Sequence, residues 1–472
     1  MESPALERSL SLRGAVTLNL LDMIGVGPFI TLPLLLGAMG GPQAMLGWVL
    51  GAGLAVCDGL VWAELGAAMP EAGGTYRYLA EIFPGKWGRW LSFLFVFQLM
   101  ISAPLSVASG CIGLAQYAGF VWPGMVNSPA VHALHVGGYS FGVTAGRGTA
   151  IAIAAVCVAV VLLYRRLAQM RWIAAAMLAV VLATMAWAML TGLMHGHWTN
   201  VVAFPADAWK LDGRFFSALG AAMLIATYDY WGYYNVTFLG SEVRDPGRTI
   251  PRAVLISIAI VALLYLGLNA SVLSVMGAPA IIAARDLGAR QAMLATMMQT
   301  AWGPVWLGKL AAVLVMVTAF ASVFSLLLGY SRIPFAAARD GNFPAVFGKL
   351  HPTRGFPYVS LLVLAGMACV FCFLSLAEVI AALVVLRICL QFGLQHVGVM
   401  VLRKRRPEML RPFRLWLYPL PPIVALLGFG YIVIKRPNSS RELVLAAVVA
   451  VLGTVVFWVS RGIKKSGEGA GA

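Results

Sequence analysis

Two glycines and a proline crowd into four positions of the first apolar run, in the stretch Asp22-Met23-Ile24-Gly25-Val26-Gly27-Pro28-Phe29. Val16 to Leu21 before it and Ile30 to Leu36 after it both read as helix. No ordinary helix runs through, because glycine weakens it and Pro28 has no amide hydrogen to donate. Pro28 instead suits the first turn of a new helix, where the missing donor would have had no partner. The chain therefore breaks at membrane depth and leaves amides unpaired. Such backbone survives only where protein buries it or where it lines water, which is how transporters build binding sites.

Membrane residence follows from composition. Of 472 residues, 61% are hydrophobic and only 11% charged, with mean hydropathy +0.86. Soluble domains carry about a quarter charged residues, so the chain reads as an all-α integral membrane protein embedded in the lipid bilayer. A span needs about 20 apolar residues. Twelve runs qualify: 14–40, 43–69, 88–120, 148–164, 172–194, 215–240, 252–277, 306–331, 358–377, 379–402, 413–434 and 442–460. Met1 to Arg13 is polar and mildly basic, and the first run is too long for a cleaved signal core, so no secretory signal is expected. Cys57, Cys111, Cys157, Cys369, Cys372 and Cys389 all lie in apolar runs and read as small buried hydrophobes, not as a disulfide framework or zinc site.

Charge sets the orientation. A formal charge of +16 suggests nucleic acid, but the basic residues gather at the ends of apolar runs, so no nucleic-acid partner is expected. With the N-terminus inside, 24 of the 34 Lys and Arg fall on the inner side and nine on the outer; Arg387 lies within a span. Both termini are expected in the cytoplasm of a plasma-membrane protein, the inner membrane in a bacterium. The divisions are 1–13 as a cytoplasmic N-terminus, 14–194 as spans one to five, and 215–402 as spans six to ten. Spans eleven and twelve occupy 413–460, and 461–472 forms a cytoplasmic tail. Among the longer outer stretches, Ala283 to Thr300 is expected as a helix on the membrane surface.

A second break lies in the sixth run, at Tyr228-Asp229-Tyr230-Trp231-Gly232-Tyr233-Tyr234. If spans one to five and six to ten are two halves, each break occupies the first helix of its half. Five spans per half would invert the second half relative to the first. Interrupted helices at corresponding positions of inverted repeats point to a transporter's site. Glycines that merely permit close helix packing are the plainer alternative.

Four stretches together resemble the amino acid permeases of the amino acid–polyamine–organocation superfamily, closest to the L-type amino acid transporters and their bacterial relatives. They are Gly25-Val26-Gly27; Ala63-Glu64-Leu65-Gly66 with Met69 through Tyr78; Glu242 through Ala253; and Ser331-Arg332 through Pro344. The resemblance implies a LeuT-like five-plus-five inverted repeat with two extra C-terminal helices. It implies an amino acid held between the breaks, its carboxylate on free amides of the first and its ammonium on carbonyls of both. The expected substrate-binding residues are Ile24, Gly25, Val26, Gly27, Tyr228, Asp229, Tyr230, Trp231, Gly232 and Tyr233, with Tyr228 as an aromatic gate. The positive end of the helix opening at Pro28 independently suits an anion. The aromatic set favours a neutral or aromatic substrate, and Asp229 pulls the other way.

Departures from the family pattern stand beside these matches. Val26 replaces a small residue and should narrow the pocket floor, and Pro28 removes one amide. A lysine that many members carry in the fifth span is replaced by Leu178. That leaves proton, sodium or exchange coupling open. For an ion, Asp229 is the candidate to relay a proton, and Thr318, Ser322 and Ser325 are the candidate sodium hydroxyls, although such hydroxyls often bond their own helix. Asp22, Asp58, Glu64, Asp229, Glu378 and Arg387 are intramembrane or nearly so, and functional candidates by default. Arg387 is expected to pair with an acid from another helix, and Glu64 reads as structural. His132, His135, His195 and His197 lack the acid or cysteine of a metal site, so no metal and no cofactor are expected. No serine elbow, paired-aspartate or His-Glu-x-x-His motif supports an enzyme. An amine or polyamine transporter and a non-transporting sensor remain as alternatives, and an accessory subunit is left open.

Overall fold

In a computed structural model, the structure describes residues 6–469 apart from 7, 126–131, 137–138, 166, 284–291, 375–386 and 436–438. The chain is mostly helical, and a helix falls within each of the twelve apolar runs. Among the described residues, five helices are long and apolar enough to cross a membrane alone, or six when the bent first span is counted as one. Four shorter apolar helices join them.

The first span is α1 (Leu12–Met23), α2 (Gly27–Ile30) and α3 (Leu32–Met39). Ser11 caps α1 through its side chain, and Pro28 stands in the first turn of α2. A second bend, of 54°, follows at Thr31, where Pro33 cannot donate to the preceding turn. Next come α4 (Met45–Ala68), the short α5 (Thr75–Ile82) and the long α6 (Lys86–Val121). The stretch after α6 holds a two-stranded hairpin, β1 (His132–Val136) with β2 (Tyr139–Val143), which the sequence patterns did not announce. Then follow α7 (Arg147–Leu163) and α8 (Leu167–His195).

The second half opens with α9 (Gly213–Tyr230), capped by the Asp212 carboxylate on the amides of Arg214 and Phe215. These two amides, Phe215 foremost, hold the Asp212 carboxyl below its usual range. After the second break come α10 (Asn235–Phe238), α11 (Pro246–Met276) and α12 (Ala278–Ala283). Next, α13 (Met293–Trp302) differs from the expected surface helix. Met293, Leu294, Ala295, Met297 and Met298 are buried, and the helix packs against α14 (Val305–Tyr330), so it is part of the core rather than a float on lipid. Arg285, Asp286 and Arg290 lie outside the described residues. Beyond α14 run α15 (Arg332–Arg339) and α16 (Tyr358–Phe371). The tenth run contributes a π-helical turn (Ile388–Gly393) that leads into α17 (Leu394–Arg405), followed by α18 (Leu420–Ile434) and α19 (Ser439–Gly469).

α1 packs on α8, α11 and α14, and α4 packs on α9 and α11. Both broken spans are thus enclosed by other helices, as broken backbone in a bilayer requires. Outward faces of α8, α18 and α19 expose Leu190, Leu193, Leu427, Val451 and Trp458, the apolar surface that lipid covers.

The stretches that carried the family resemblance meet at one end of the molecule. Arg332 Nε donates to Glu242 Oε1 at 2.9 Å, both buried. Arg77 Nη1 reaches Asp340 Oδ2 at 2.9 Å, and the Gly73 amide donates to the Phe238 carbonyl at 3.1 Å. Glu64 accepts from Arg403 and from the Leu415 amide, and Arg411 lies 3.4 Å away. Glu64 is therefore buried in a two-arginine network, in keeping with a structural part.

Candidate functional site

The two breaks face each other. α1 ends at Met23, and the next amides turn tightly, Ile24 N–H donating to the Leu20 carbonyl and Gly25 N–H to that of Met23. α9 ends at Tyr230, and Gly232, at φ 127°, swings the chain into α10. Only glycine fits there: a Cβ at 232 would stand 2.8 Å from the Met23 nitrogen and 2.9 Å from the Asp22 carbonyl carbon. The backbone of one break thus rests directly on that of the other.

Side chains from intact helices lock this contact. The Tyr265 hydroxyl of α11 lies 2.5 Å from the Met23 carbonyl and 3.2 Å from that of Asp229, one donor serving the frayed ends of both half-helices. Asn19 donates to the Tyr233 carbonyl at 2.7 Å and accepts from the Val236 amide at 3.0 Å. From α14, Ser322 donates to the Asp22 carbonyl at 3.1 Å and Ser325 to the Leu18 carbonyl at 2.7 Å. Carbonyls released by the break are satisfied one by one, as buried backbone demands.

A cavity opens beside this junction, lined by residues of both breaks and of α6, α14 and the tenth run. Of the predicted set, Gly25, Val26, Gly27, Tyr228, Asp229, Trp231 and Gly232 line it. Ile24, Tyr230 and Tyr233 do not. Ile24 is wholly buried in the core, Tyr230 packs edge-on against Trp48, and the Tyr233 hydroxyl donates to Asp58. These three side chains lie elsewhere for one reason: at a break, neighbouring side chains leave in directions that helical spacing does not anticipate. Ser322 lines the cavity, whereas Ser325 bonds into α1. Thr318 donates to the Leu314 carbonyl of its own helix at 2.9 Å and takes no part. Leu178 is a half-buried core residue of α8, which packs on α1.

Asp229 is turned onto the first break. Its Oδ2 accepts from the Thr31 hydroxyl at 2.6 Å, while Oδ1 lies against Gly27. The carboxylate thus sits at the positive end of α2, near where the resemblance would put a substrate's carboxylate. Tyr228 contacts Ser109 of α6 through its hydroxyl at 3.1 Å. Val26 fills the space over Gly113, where any Cβ would lie 2.5 Å from it.

Among the described residues no acid lies within ion-pair distance of Arg387, and Glu378 lies outside them. Arg387 Nη1 donates to the Tyr234 hydroxyl at 3.1 Å and its Nη2 to Ser106 Oγ at 2.7 Å. The guanidinium carbon stands 5.1 Å from the ring centre of Tyr330 and 5.7 Å from that of Trp231. All its partners are neutral. Its charge faces the cavity that Asp22 and Asp229 also line, and Asp22 lies within its field.

Reasoning from breaks alone missed Arg387, Thr31, Ser106 and Ser109 as lining residues. The signals were present: an arginine inside an apolar run, and Ser102, Ser106 and Ser109 at i, i+4 and i+7 around Pro104 on one face of α6.

Known proteins resemble this chain along nearly its whole length. A family model described as amino acid permease matches residues 10–460. An uncharacterized transporter of Mycobacterium tuberculosis is 28% identical over 96% of this chain and 90% of its own. The Asc-type amino acid transporter 1 of Mus musculus is 26% identical over 98% of this chain and 83% of its own. The serine/threonine exchanger SteT of Bacillus subtilis is 25% identical over 98% of both chains. A multi-pass membrane transporter is what this arrangement and these relatives have in common, and the chain belongs to the amino acid permease family.

Proposed function

We propose that this protein is a secondary transporter that carries amino acids across the membrane by alternating access, with the substrate held between the broken first and sixth spans. The observation that carries the reading is the cavity between the two breaks, into which Asp22, Asp229 and Arg387 bring acidic and basic side chains. A zwitterion is complementary to such a lining. Its ammonium is drawn to the aspartates and the carbonyl end of α1, and its carboxylate to Arg387. Arg387 offsets what Pro28 removes from the amide cradle.

The five-plus-five inverted repeat, cytoplasmic termini and plasma-membrane location belong to the same proposal. The two breaks at the first helix of each half and the bias of basic residues support them. A neutral substrate fits best, since Tyr228, Trp231 and Val26 wall the cavity with apolar surface. The name of the Bacillus subtilis relative, a serine/threonine exchanger, points the same way.

The test is flux. Purified protein in liposomes, given each of the twenty labelled L-amino acids in turn, is expected to take up or exchange at least one; none moving sinks the reading. A second reading, amine or polyamine transport, is favoured by the two aspartates and opposed by Arg387. Inhibition by free amines but not by amino acids would select it.

A further inference from the structure

A polar seam leads away from the substrate cavity between α6 and the tenth run. The two segments are antiparallel. α6 begins, and α17 ends, where the family stretches interlock, with Asn342 on the Arg89 carbonyl and Arg403 on Glu64. At the cavity Arg387 Nη2 donates to Ser106 Oγ at 2.7 Å, which pins the register between them. Four residues deeper on each segment stand Gln391 and Ser102, and four deeper again Gln395 and Gln98. Steps of four keep each set on one helical face, so the register that joins Arg387 to Ser106 brings Gln391 level with Ser102 and Gln395 level with Gln98. The tenth run packs on α6 here, and Gln391 lies in its π-helical turn, a local widening that recurs at functional sites.

These side chains are buried and short of partners. Gln98, Ser102 and Gln395 have no exposed surface, and Gln391 has 1%. Both ends of the ladder are tied. The Ser106 hydroxyl donates to the Ser102 carbonyl at 3.1 Å while accepting from Arg387, and Gln395 Oε1 accepts from the Thr75 hydroxyl at 3.2 Å. Between these ends, Ser102 Oγ, Gln391 Nε2, Gln395 Nε2 and both polar atoms of Gln98 have no partner among the described residues.

Polar side chains that only glue two helices together bond to one another across the seam. These do not. Flipping the Gln98 amide changes nothing, since its oxygen and nitrogen are equally unpartnered. Among the five atoms three amide nitrogens outnumber two oxygens, so turning the side chains towards one another does not satisfy them either. Buried polar groups in this state are the ones that ordered water serves.

We infer that Gln98, Ser102, Gln391 and Gln395 hold a file of water molecules that prolongs the substrate cavity by about 12 Å, the rise of eight helical residues from Ser106 to Gln98. The cavity itself stops at Ser106 and Arg387, which leaves the ladder to molecules smaller than an amino acid. Its lining of amides and a hydroxyl offers both donors and acceptors, which is what a water with two to four bonds requires. The role of the file rests on the reading of the protein as a transporter. Water displaced as the cavity closes on substrate has to leave, and the file is an outlet that needs no helix to move.

The first test uses water itself as the probe. Unaltered protein labelled with nitrogen-15 at glutamine and asparagine is placed in bilayers, and transfer of magnetisation from water to the side-chain amides is followed by solid-state NMR. Gln98→Met and Gln391→Met, one at a time, assign the signals. Asn235 is the control, equally buried but with its amide nitrogen bonded to the Ser325 carbonyl and hydroxyl. Build-up at Gln98 and Gln391 is expected to be about fivefold faster than at Asn235, or more; build-up no faster than at Asn235 overturns the proposal. The second test is kinetic. Gln98→Met combined with Gln391→Met fills the file with apolar atoms, and the maximal uptake rate of an amino acid carried by wild type is expected to fall about three- to tenfold with KM within about twofold. A maximal rate equal to wild type overturns the outlet role. Absence of uptake in wild type counts against the transporter reading instead, and the spectra then decide the water file alone.

Discussion

The carboxylate of Asp229 lies so close to Gly27 that a Cβ built on the glycine would stand 2.0 Å from Oδ1. The sixth span thereby closes onto the first turn of α2, with the Thr31 hydroxyl on the other oxygen at 2.6 Å. Gly27 serves less as a helix breaker than as the surface on which Asp229 sits.

Gly27→Ala should therefore push the two breaks apart. Uptake is expected to fall about tenfold or more, the scale on which displacing a site by about 1 Å is felt. Asp229→Ala removes the obstructing carboxylate, so Gly27→Ala combined with it should transport no worse than Asp229→Ala alone. Strictly additive losses in this cycle, or wild-type uptake by Gly27→Ala, would rule out the contact as the cause.

Asp229→Asn keeps an acceptor for Thr31 but removes the charge. Thermal stability in detergent should change little while transport drops, and the drop should exceed that of Glu378→Gln. Two variants with equal, wild-type-like rates would count against the site as drawn.

Arg387 is expected to receive the substrate's carboxylate. Arg387→Gln should raise KM about 10- to 100-fold, the equivalent of about 1.5–3 kcal/mol for a hydrogen bond to a charged group. Competition separates this from general damage: an amino acid should lose potency as an inhibitor far more than its amino alcohol, which has no carboxylate. Parallel losses for both compounds would contradict the assignment.

At the end where the family stretches interlock, Arg332 and Glu242 are a buried pair. Arg332→Gln leaves the acid uncompensated at a cost of about 3–5 kcal/mol, which should lower Tm in a thermal-shift assay. Replacing both residues with methionine should restore most of the loss, and a double variant less stable than either single one would show that the charge pair is not what matters.

Much of this arrangement was legible in the residues themselves. Glycine and proline act on the backbone locally, so both breaks could be placed to within a residue or two, and apolar runs of the right length marked a helix in each of twelve places. Side-chain direction at a break was not legible. Tyr228 and Trp231 line the cavity while Tyr230 and Tyr233, interleaved with them, turn to Trp48 and Asp58, because the chain there follows neither a period of 3.6 nor one of 2. The stretch before Trp302 failed for another reason. Its apolar residues suited either lipid or core, and only the neighbouring α14 decided for core.

Sequence alone thus determined a membrane protein whose first and sixth apolar runs cannot be continuous helices, since those properties rest on local composition and backbone chemistry. Tertiary structure decided what fills the breaks. It turned Asp229 onto Gly27, set Arg387 at the cavity against Tyr234 and Ser106, and brought Asp58 to His396 across 338 positions of chain. Long-range packing sets such distances, and no spacing rule along the sequence contains them.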